Sequence, residues 1–175
     1  MKLSLISLSF LLLLLFVPLV TFAQDMSEKK GVLEQIVRDD SNVGEDVHDE
    51  GGIDNSLRRV SIKKVDLNND GHPELIVDLS YLGCGVSNCP FYIYRKSENR
   101  YDLLLKDAGT SHQMLKTKTN GYNDFLLQGH SSASDTYVVI YQFESGRYKA
   151  KTCWTRQAFG KNEEKFRNIP EKCNR

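Results

Sequence analysis

The sequence carries no excess of charge, because 23 basic side chains of Lys and Arg balance 23 acidic side chains of Asp and Glu. A protein that binds nucleic acid through its phosphates shows a basic face, so this balance argues against nucleic-acid binding. A second long hydrophobic run is also missing after the first 23 residues. We therefore predict that no membrane span is left once the first hydrophobic run is removed.

That first run has the order of a secretory signal peptide. Lys2 supplies the positive start, residues 3–20 are apolar apart from Ser and Pro18, and small residues lead to a cleavage point after Ala23. The alternative is an uncleaved anchor, since the run is close to the roughly 20 residues that a spanning helix needs. Pro18 favours cleavage, and no Cys follows the cut to accept a lipid. We predict a signal peptide over residues 1–23 and a secreted or periplasmic protein.

Cysteine is scarce, with four residues in all, and each of them lies beyond the signal peptide. An even number of Cys in an exported protein is typical of disulfides. Three pairings are possible, and we favour Cys84–Cys89 and Cys153–Cys173, because GCGVSNCP places the first pair across a short turn. A metal–thiolate site is the alternative, but the C-x4-C spacing does not fit a zinc knuckle.

The roughly 150 remaining residues suit one domain. Residues 24–56 are expected to hold an N-terminal helix, on the apolar spacing within residues 27–39, and an acidic loop over 39–55 that has no periodicity. That loop is either solvated or a docking segment for a basic partner. Residues 57–152 alternate short β-type runs with turn signals, and residues 153–175 form a polar tail that the second disulfide would anchor.

Two similar units of about 50 residues are visible within the β region. NDGHPELIV (69–77) aligns with TNGYNDFLL (119–127), and FYIYRKSENRYDLL (91–104) aligns with VVIYQFESGRYKA (138–150). We predict a mainly β fold of two four-stranded antiparallel blade-like units with a short N-terminal helix. The units would pack as an open sandwich or a partial barrel.

One loop concentrates oxygen-bearing side chains at alternate positions. In VDLNNDGHPELIV, Asp66, Asn68, Asp70 and Glu74 take positions 1, 3, 5 and 9, and a Gly lies at position 6. Calcium prefers six to eight such oxygens, and His72 at position 7 would add its carbonyl. A full EF-hand would need Glu at position 12 and flanking helices, which are missing. The alternative is an Asn-Asp-Gly turn with no metal.

The loop resembles the D-x-[DN]-x-D-G-x-x-[DE] loop of the FG-GAP and VCBS repeat family, whose repeats are calcium-binding β-propeller blades. The resemblance implies calcium ligands at Asp66, Asn68, Asp70, His72 and Glu74. The second unit departs from it, because Lys116 and Lys118 stand at ligand positions, and we expect no metal there. Two units are also too few for a closed propeller.

No recognisable catalytic arrangement is present. GHSSA (129–133) differs from a nucleophile elbow at its last position, and a β-type run follows it where a helix is required. We therefore predict no catalytic residues and no organic cofactor. The predicted function is a secreted, calcium-stabilised, non-enzymatic binding or inhibitory module whose partner is an extracellular protein or glycan. The alternative is an extracytoplasmic enzyme, such as a hydrolase, with an unrecognised active site.

Overall fold

A helical segment precedes two antiparallel β-sheets along the chain. The computed structural model describes residues 25–82, 84, 88–98, 100–132, 135–159 and 163–168, with side chains described as far as Thr155. The predicted signal peptide lies outside the described residues. The chain divides between Arg58 and Arg59 into a helical unit and a β unit. None of the helices in the described ranges is long and apolar enough to cross a membrane.

The helical unit contains more helix than the sequence predicted. Its helices are α1 over residues 25–39, α2 (Ser41–Asp49) and α3 (Ile53–Ser56). In α1, Val32, Leu33 and Ile36 are buried, as their spacing predicts. The prediction of a loop over residues 39–55 is wrong. Val43 and Val47, four residues apart, form a narrow buried stripe on α2, and this is enough to fold a segment whose remaining positions are polar.

The first sheet of the β unit is a meander in which each strand pairs with the next. Its order is β1-β2-β3-β4, and a single 3₁₀ turn (Ser80–Leu82) follows β2. The strands are β1 (Ser61–Val65), β2 (Glu74–Asp78), β3 (Cys89–Ser97) and β4 (Arg100–Gly109). Leu75, Ile76 and Val77 are all buried although they are consecutive, so both faces of β2 are covered.

The second sheet repeats the meander and adds a fifth strand, in the order β5-β6-β7-β8-β9. The strands are β5 (Ser111–Thr119), β6 (Tyr122–His130), β7 (Asp135–Glu144), β8 (Arg147–Phe159) and β9 (Glu163–Asn168). The predicted fold class is therefore confirmed: the described chain is mainly β, with two antiparallel sheets that do not close into a barrel. Strand β9 lies in the segment that was predicted only as a tail.

Equivalent strands of the two sheets pair in the same register. Leu75 lies opposite Tyr94 across β2 and β3, and Phe125 lies opposite Tyr141 across β6 and β7. The β3–β4 and β7–β8 hairpins each contain a β-bulge. The register shifts after Ile93 in β3–β4 and after Ile140 in β7–β8. These are matching positions in the aligned segments, so the two units share their backbone geometry as well as their sequence pattern.

The sheets enclose a core rich in aromatic rings. The ring centroids of Phe91 and Phe125 lie 6.3 Å apart across the two sheets, and Phe125 meets Tyr148 edge-on at 5.5 Å. Tyr122 stacks on Phe143 at 3.8 Å. Buried rings contribute to stability through both their area and their edge-to-face geometry. This aromatic cluster lies beside the loop between β1 and β2.

Polar contacts also join the sheets at the opposite end. The side-chain amide of Asn88 donates to the His130 carbonyl at 2.9 Å and accepts from the His130 N–H at 2.7 Å. The Tyr137 hydroxyl donates to the Ala108 carbonyl at 2.7 Å. Gly129 lies between these groups, and no side chain fits there.

The predicted disulfide between Cys84 and Cys89 is present, and its Cα atoms are 5.2 Å apart. Cys153 is buried in β8 and is also disulfide-bonded. Its predicted partner, Cys173, lies outside the described residues, so the second pairing stays a prediction.

Candidate metal centre

The loop between β1 and β2 is wrapped around the carboxylate of Asp66. Oδ1 accepts the backbone N–H groups of Asn69 at 2.7 Å and Asp70 at 3.2 Å, and Oδ2 accepts that of Gly71 at 3.0 Å. Asn69 and Gly71 have φ values of 64° and 84°, in the left-handed region. Gly adopts this region without strain, and Asn tolerates it better than most residues. This explains why the sequence has Asn and Gly at the two sharpest points of the loop.

Asn68 and Asp70 form a second layer of contacts within the loop. The Asn68 amide donates to Oδ2 of Asp70 at 2.7 Å, while its carbonyl oxygen accepts the Asp70 N–H at 3.0 Å. Oδ1 of Asp70 accepts the N–H of His72 at 2.7 Å. The Asn68 hydrogen bond, followed by that of His72, lowers the pKa of Asp70. The exposed Asp70 carboxyl is therefore held in its charged form.

Glu74 lies beneath the loop, and its side chain is fully buried at the start of β2. Its Oε2 accepts the Leu67 N–H at 2.9 Å, whereas its buried Oε1 has no hydrogen-bond partner. Burial raises the pKa of Glu74, and the nearby carboxylates of Asp70 and Asp66 raise it further. A carboxylate oxygen buried without a donor is costly, because no water replaces the missing hydrogen bond.

These oxygens match the ligand chemistry of calcium, but they are not gathered around one point. Across the described ranges, no group of three His, Cys, Asp or Glu side chains is arranged to hold a metal. Carboxylate oxygens keep spare lone pairs after accepting one backbone N–H, so Asp66 retains coordinating capacity. Oε1 of Glu74 accepts no hydrogen bond, so all of its lone pairs are available for coordination. The chemistry of these donors, as distinct from their arrangement, therefore suits a divalent cation that binds hard oxygens.

The loop of the second unit has a different chemistry. Asn120 and Gly121 form a tight turn with φ values of 50° and 86°, and the Asn120 amide donates to the Phe143 carbonyl at 2.8 Å. Lys116 and Lys118 are both exposed beside it. This turn needs no cation to hold its shape.

The sequence predicted no metal-binding role for one carboxylate of the second unit, which the structure shows to be buried. Asp124 in β6 is 3% exposed, and its Oδ1 has no hydrogen-bond partner. The signal was present in the alignment of the two units, where Asp124 takes the position of Glu74. This alignment did not lead to a predicted ligand at Asp124, because Lys116 and Lys118 stand where the metal motif requires oxygen-bearing side chains.

Two clefts lie away from the loop. The larger, of about 450 Å³, runs between β4 and β8 and is lined by Leu103, Lys106, Asp107, Arg147 and Lys149 among others. The carboxylate of Asp107 there accepts the Tyr141 hydroxyl. None of the residues that line this cleft is Ser, Thr, Cys or His. The cleft therefore combines charged and apolar groups.

The smaller cleft, of about 250 Å³, contains His112 together with Asp78 and Ser111. The His112 ring stacks on Phe91, with centroids 4.3 Å apart. Burial lowers the pKa of His112, and Asp78 opposes this shift. The imidazole is therefore neutral near pH 7, the form that acts as a base.

Comparison with known proteins adds no assignment: the chain matches no family model, no curated protein and no solved structure.

Proposed function

We propose that the chain is an exported, non-enzymatic binding or inhibitory module that calcium stabilises at the loop of residues 66–74. The observation that carries the calcium part is the buried, unpartnered Oε1 of Glu74 in a loop that also holds the half-buried Asp66 and Asn68 and the exposed Asp70. Asp66, Asn68, Asp70 and Glu74 would hold the cation through side-chain oxygens, and His72 through its carbonyl. Bound calcium supplies positive charge that neutralises the carboxylates of this loop.

The expected affinity is modest. The loop has no bidentate Glu at position 12, where Val77 stands in β2. Extracellular calcium modules bind with dissociation constants on the order of 10⁻⁴ to 10⁻³ M. Calcium is plentiful enough for such a site only outside the cytosol, which agrees with the predicted signal peptide.

The test is thermal unfolding of the mature protein with calcium and with a chelator. At free calcium about tenfold above the dissociation constant, binding to the folded state alone adds about 1.4 kcal/mol. This corresponds to a rise in Tm of roughly 3–6 °C. Asp70→Ala should abolish the rise, whereas Asp46→Asn, which removes one exposed charge from α2, should keep it. If the Tm of the parent does not change with calcium, the loop is an ordinary Asn-Asp-Gly turn and the calcium part of the proposal is wrong.

The binding part of the proposal is supported by the larger cleft. Exposed Leu103, Lys106, Arg147 and Lys149 give it an apolar centre and a basic rim. Capture from the native extracellular fluid, with and without chelator, followed by direct titration of the purified partner, tests it. Loss of that binding in Arg147→Glu/Lys149→Glu would support the cleft as the binding surface. Unchanged affinity would contradict it.

The smaller cleft favours an enzyme as the second candidate, because a neutral His112 and Asp78 line the same cavity. However, His112 contacts the ring of Phe91 and makes no hydrogen bond to a hydroxyl among the described residues. A panel of chromogenic esters and glycosides separates the two candidates. Turnover that disappears in His112→Gln, while the calcium-dependent rise in Tm persists, would favour the enzyme.

A further inference from the structure

Two buried carboxylates occupy equivalent places in the two sheets. Glu74 begins β2 and Asp124 lies near the start of β6, and each has one buried oxygen without a hydrogen-bond partner. The strand registers make these positions equivalent. Glu74 directly precedes Leu75, which pairs with Tyr94, and Asp124 directly precedes Phe125, which pairs with Tyr141 at the matching place in the second sheet. The same uncompensated group is therefore present on both sides of the core.

The start of β6 is bonded directly to the loop of the first unit. Oε2 of Glu74 accepts the Leu67 N–H at 2.9 Å, and the Leu67 carbonyl accepts the Asn123 N–H at 2.8 Å. Two consecutive hydrogen bonds thus connect the Glu74 carboxylate to the residue before Asp124. They bring the buried part of β6 against the base of the loop.

Tyr148 lies beside both carboxylates. Its hydroxyl donates to the Asn123 carbonyl at 2.8 Å, so it is not available to either acid. Burial raises the pKa of Tyr148 well above its ordinary value, and Glu74, Tyr122 and Asp124 raise it further. Glu74 of the first sheet and Asp124 of the second therefore both raise the pKa of the same buried hydroxyl.

A buried carboxylate with an unpartnered oxygen needs a positive charge, a proton or a hydrogen-bond donor. The loop of the first unit has ligands at positions 1, 3, 5, 7 and 9 but lacks one at position 12, so its coordination shell is short of calcium's six to eight oxygens. Asp124 offers a buried, unpartnered oxygen at the base of this loop.

We propose that Asp124 supplies the missing ligand, so that one divalent cation is held by the loop of the first sheet and by β6 of the second. This inference rests on the calcium site proposed above and extends it. Calcium would then join the two sheets in addition to ordering a surface loop. Its binding would depend on a residue that lies 50 positions from the motif.

The experiment compares calcium binding by the parent, Asp124→Asn and Asp46→Asn, using calorimetric titration and thermal unfolding. The Asn side chain keeps the shape of Asp124 but removes its charge. We expect Asp124→Asn to weaken calcium binding at least tenfold and to lose most of the calcium-dependent rise in Tm. In chelator its Tm should equal or exceed that of the parent, because the variant buries no uncompensated charge. Asp46→Asn should bind calcium as the parent does.

A purely structural role gives a different result. If Asp124 only fills space, Asp124→Asn shifts the Tm by the same amount with calcium and with chelator, and the dissociation constant is unchanged. That result overturns the inference but leaves the proposed calcium loop intact. A parent that does not bind calcium overturns both. Asp124→Glu, which keeps a carboxylate, should retain more calcium affinity than Asp124→Asn, and the reverse order would also contradict the inference.

Discussion

The packing around Gly129 leaves no room for a side chain. A Cβ built on Gly129 lies 2.7 Å from Oδ1 of Asn88 and closer still to the Tyr137 hydroxyl. Both groups would have to move, and both make hydrogen bonds that join the sheets. Gly129→Ala therefore tests whether this packed contact is as tight as the structure indicates.

The cost follows from the contacts that would be lost. Asn88 makes two hydrogen bonds with the His130 backbone, and Tyr137 makes one with Ala108. Each is worth about 1 kcal/mol, and overpacking adds about 1–3 kcal/mol. We expect Gly129→Ala to lower the free energy of unfolding by about 4–6 kcal/mol, a large part of the roughly 5–15 kcal/mol typical of a domain. The Tm should fall by roughly 10–20 °C.

Urea denaturation measures this loss directly, as a lower midpoint with an unchanged m value. Gly71→Ala is the matched control. Its Cβ would meet nothing within 4 Å, but its φ is 84°, so only backbone strain of about 1–2 kcal/mol should appear. The double variant with Tyr137→Phe should lose about 1 kcal/mol less than the sum of the single variants, since both lose the same bond to Ala108. A stable Gly129→Ala, or strict additivity, would refute the reasoning.

Three further predictions concern a titration, a disulfide and a turn. The folded state lowers the pKa of His112 below 6.5, so the unfolded chain binds the proton first as the pH drops. The free energy of unfolding should therefore fall as the pH drops through 6.5. His112→Gln should flatten this pH dependence in thermal melts recorded at several pH values. Replacing Cys84 and Cys89 by Ser opens a short loop and should cost roughly 2 kcal/mol in urea denaturation, while an unchanged midpoint would show that the bond adds no stability. Calcium should leave the amide NMR signals of Asn120 and Gly121 in place, and shifts comparable to those of the first loop would reveal a second metal site.

The sequence predicted best where one local pattern determines the structure. Alternating apolar residues and turn signals identified the strands and hairpins. The aligned segments indicated that β3 and β7 hold equivalent places in their two sheets. The short spacing of Cys84 and Cys89 predicted their pairing. Each of these features depends on residues close together in the chain, so no knowledge of tertiary contacts was needed.

The features that were missed depend on distant residues. Helix α2 rests on only two buried residues, Val43 and Val47, too few to stand out from an acidic background. The burial of Glu74 and Asp124 depends on tertiary packing that no local sequence pattern reveals. The basic residues of the second loop argued against a metal ligand at Asp124, although the alignment of Asp124 with Glu74 was visible in the sequence.

The amide of Asn88 has a consequence for the behaviour of the chain when its disulfide is reduced. By pairing with both backbone groups of His130, it occupies the end of β6 as a neighbouring strand would. The disulfide at Cys89 holds this amide in place from the adjacent position. When the disulfide is reduced, the Asn88 amide is held less firmly, and the N–H and carbonyl of His130 at the end of β6 lose this partner more readily. Light scattering should therefore detect faster aggregation of the reduced chain than of the oxidised chain, and equal rates would contradict this role of the disulfide.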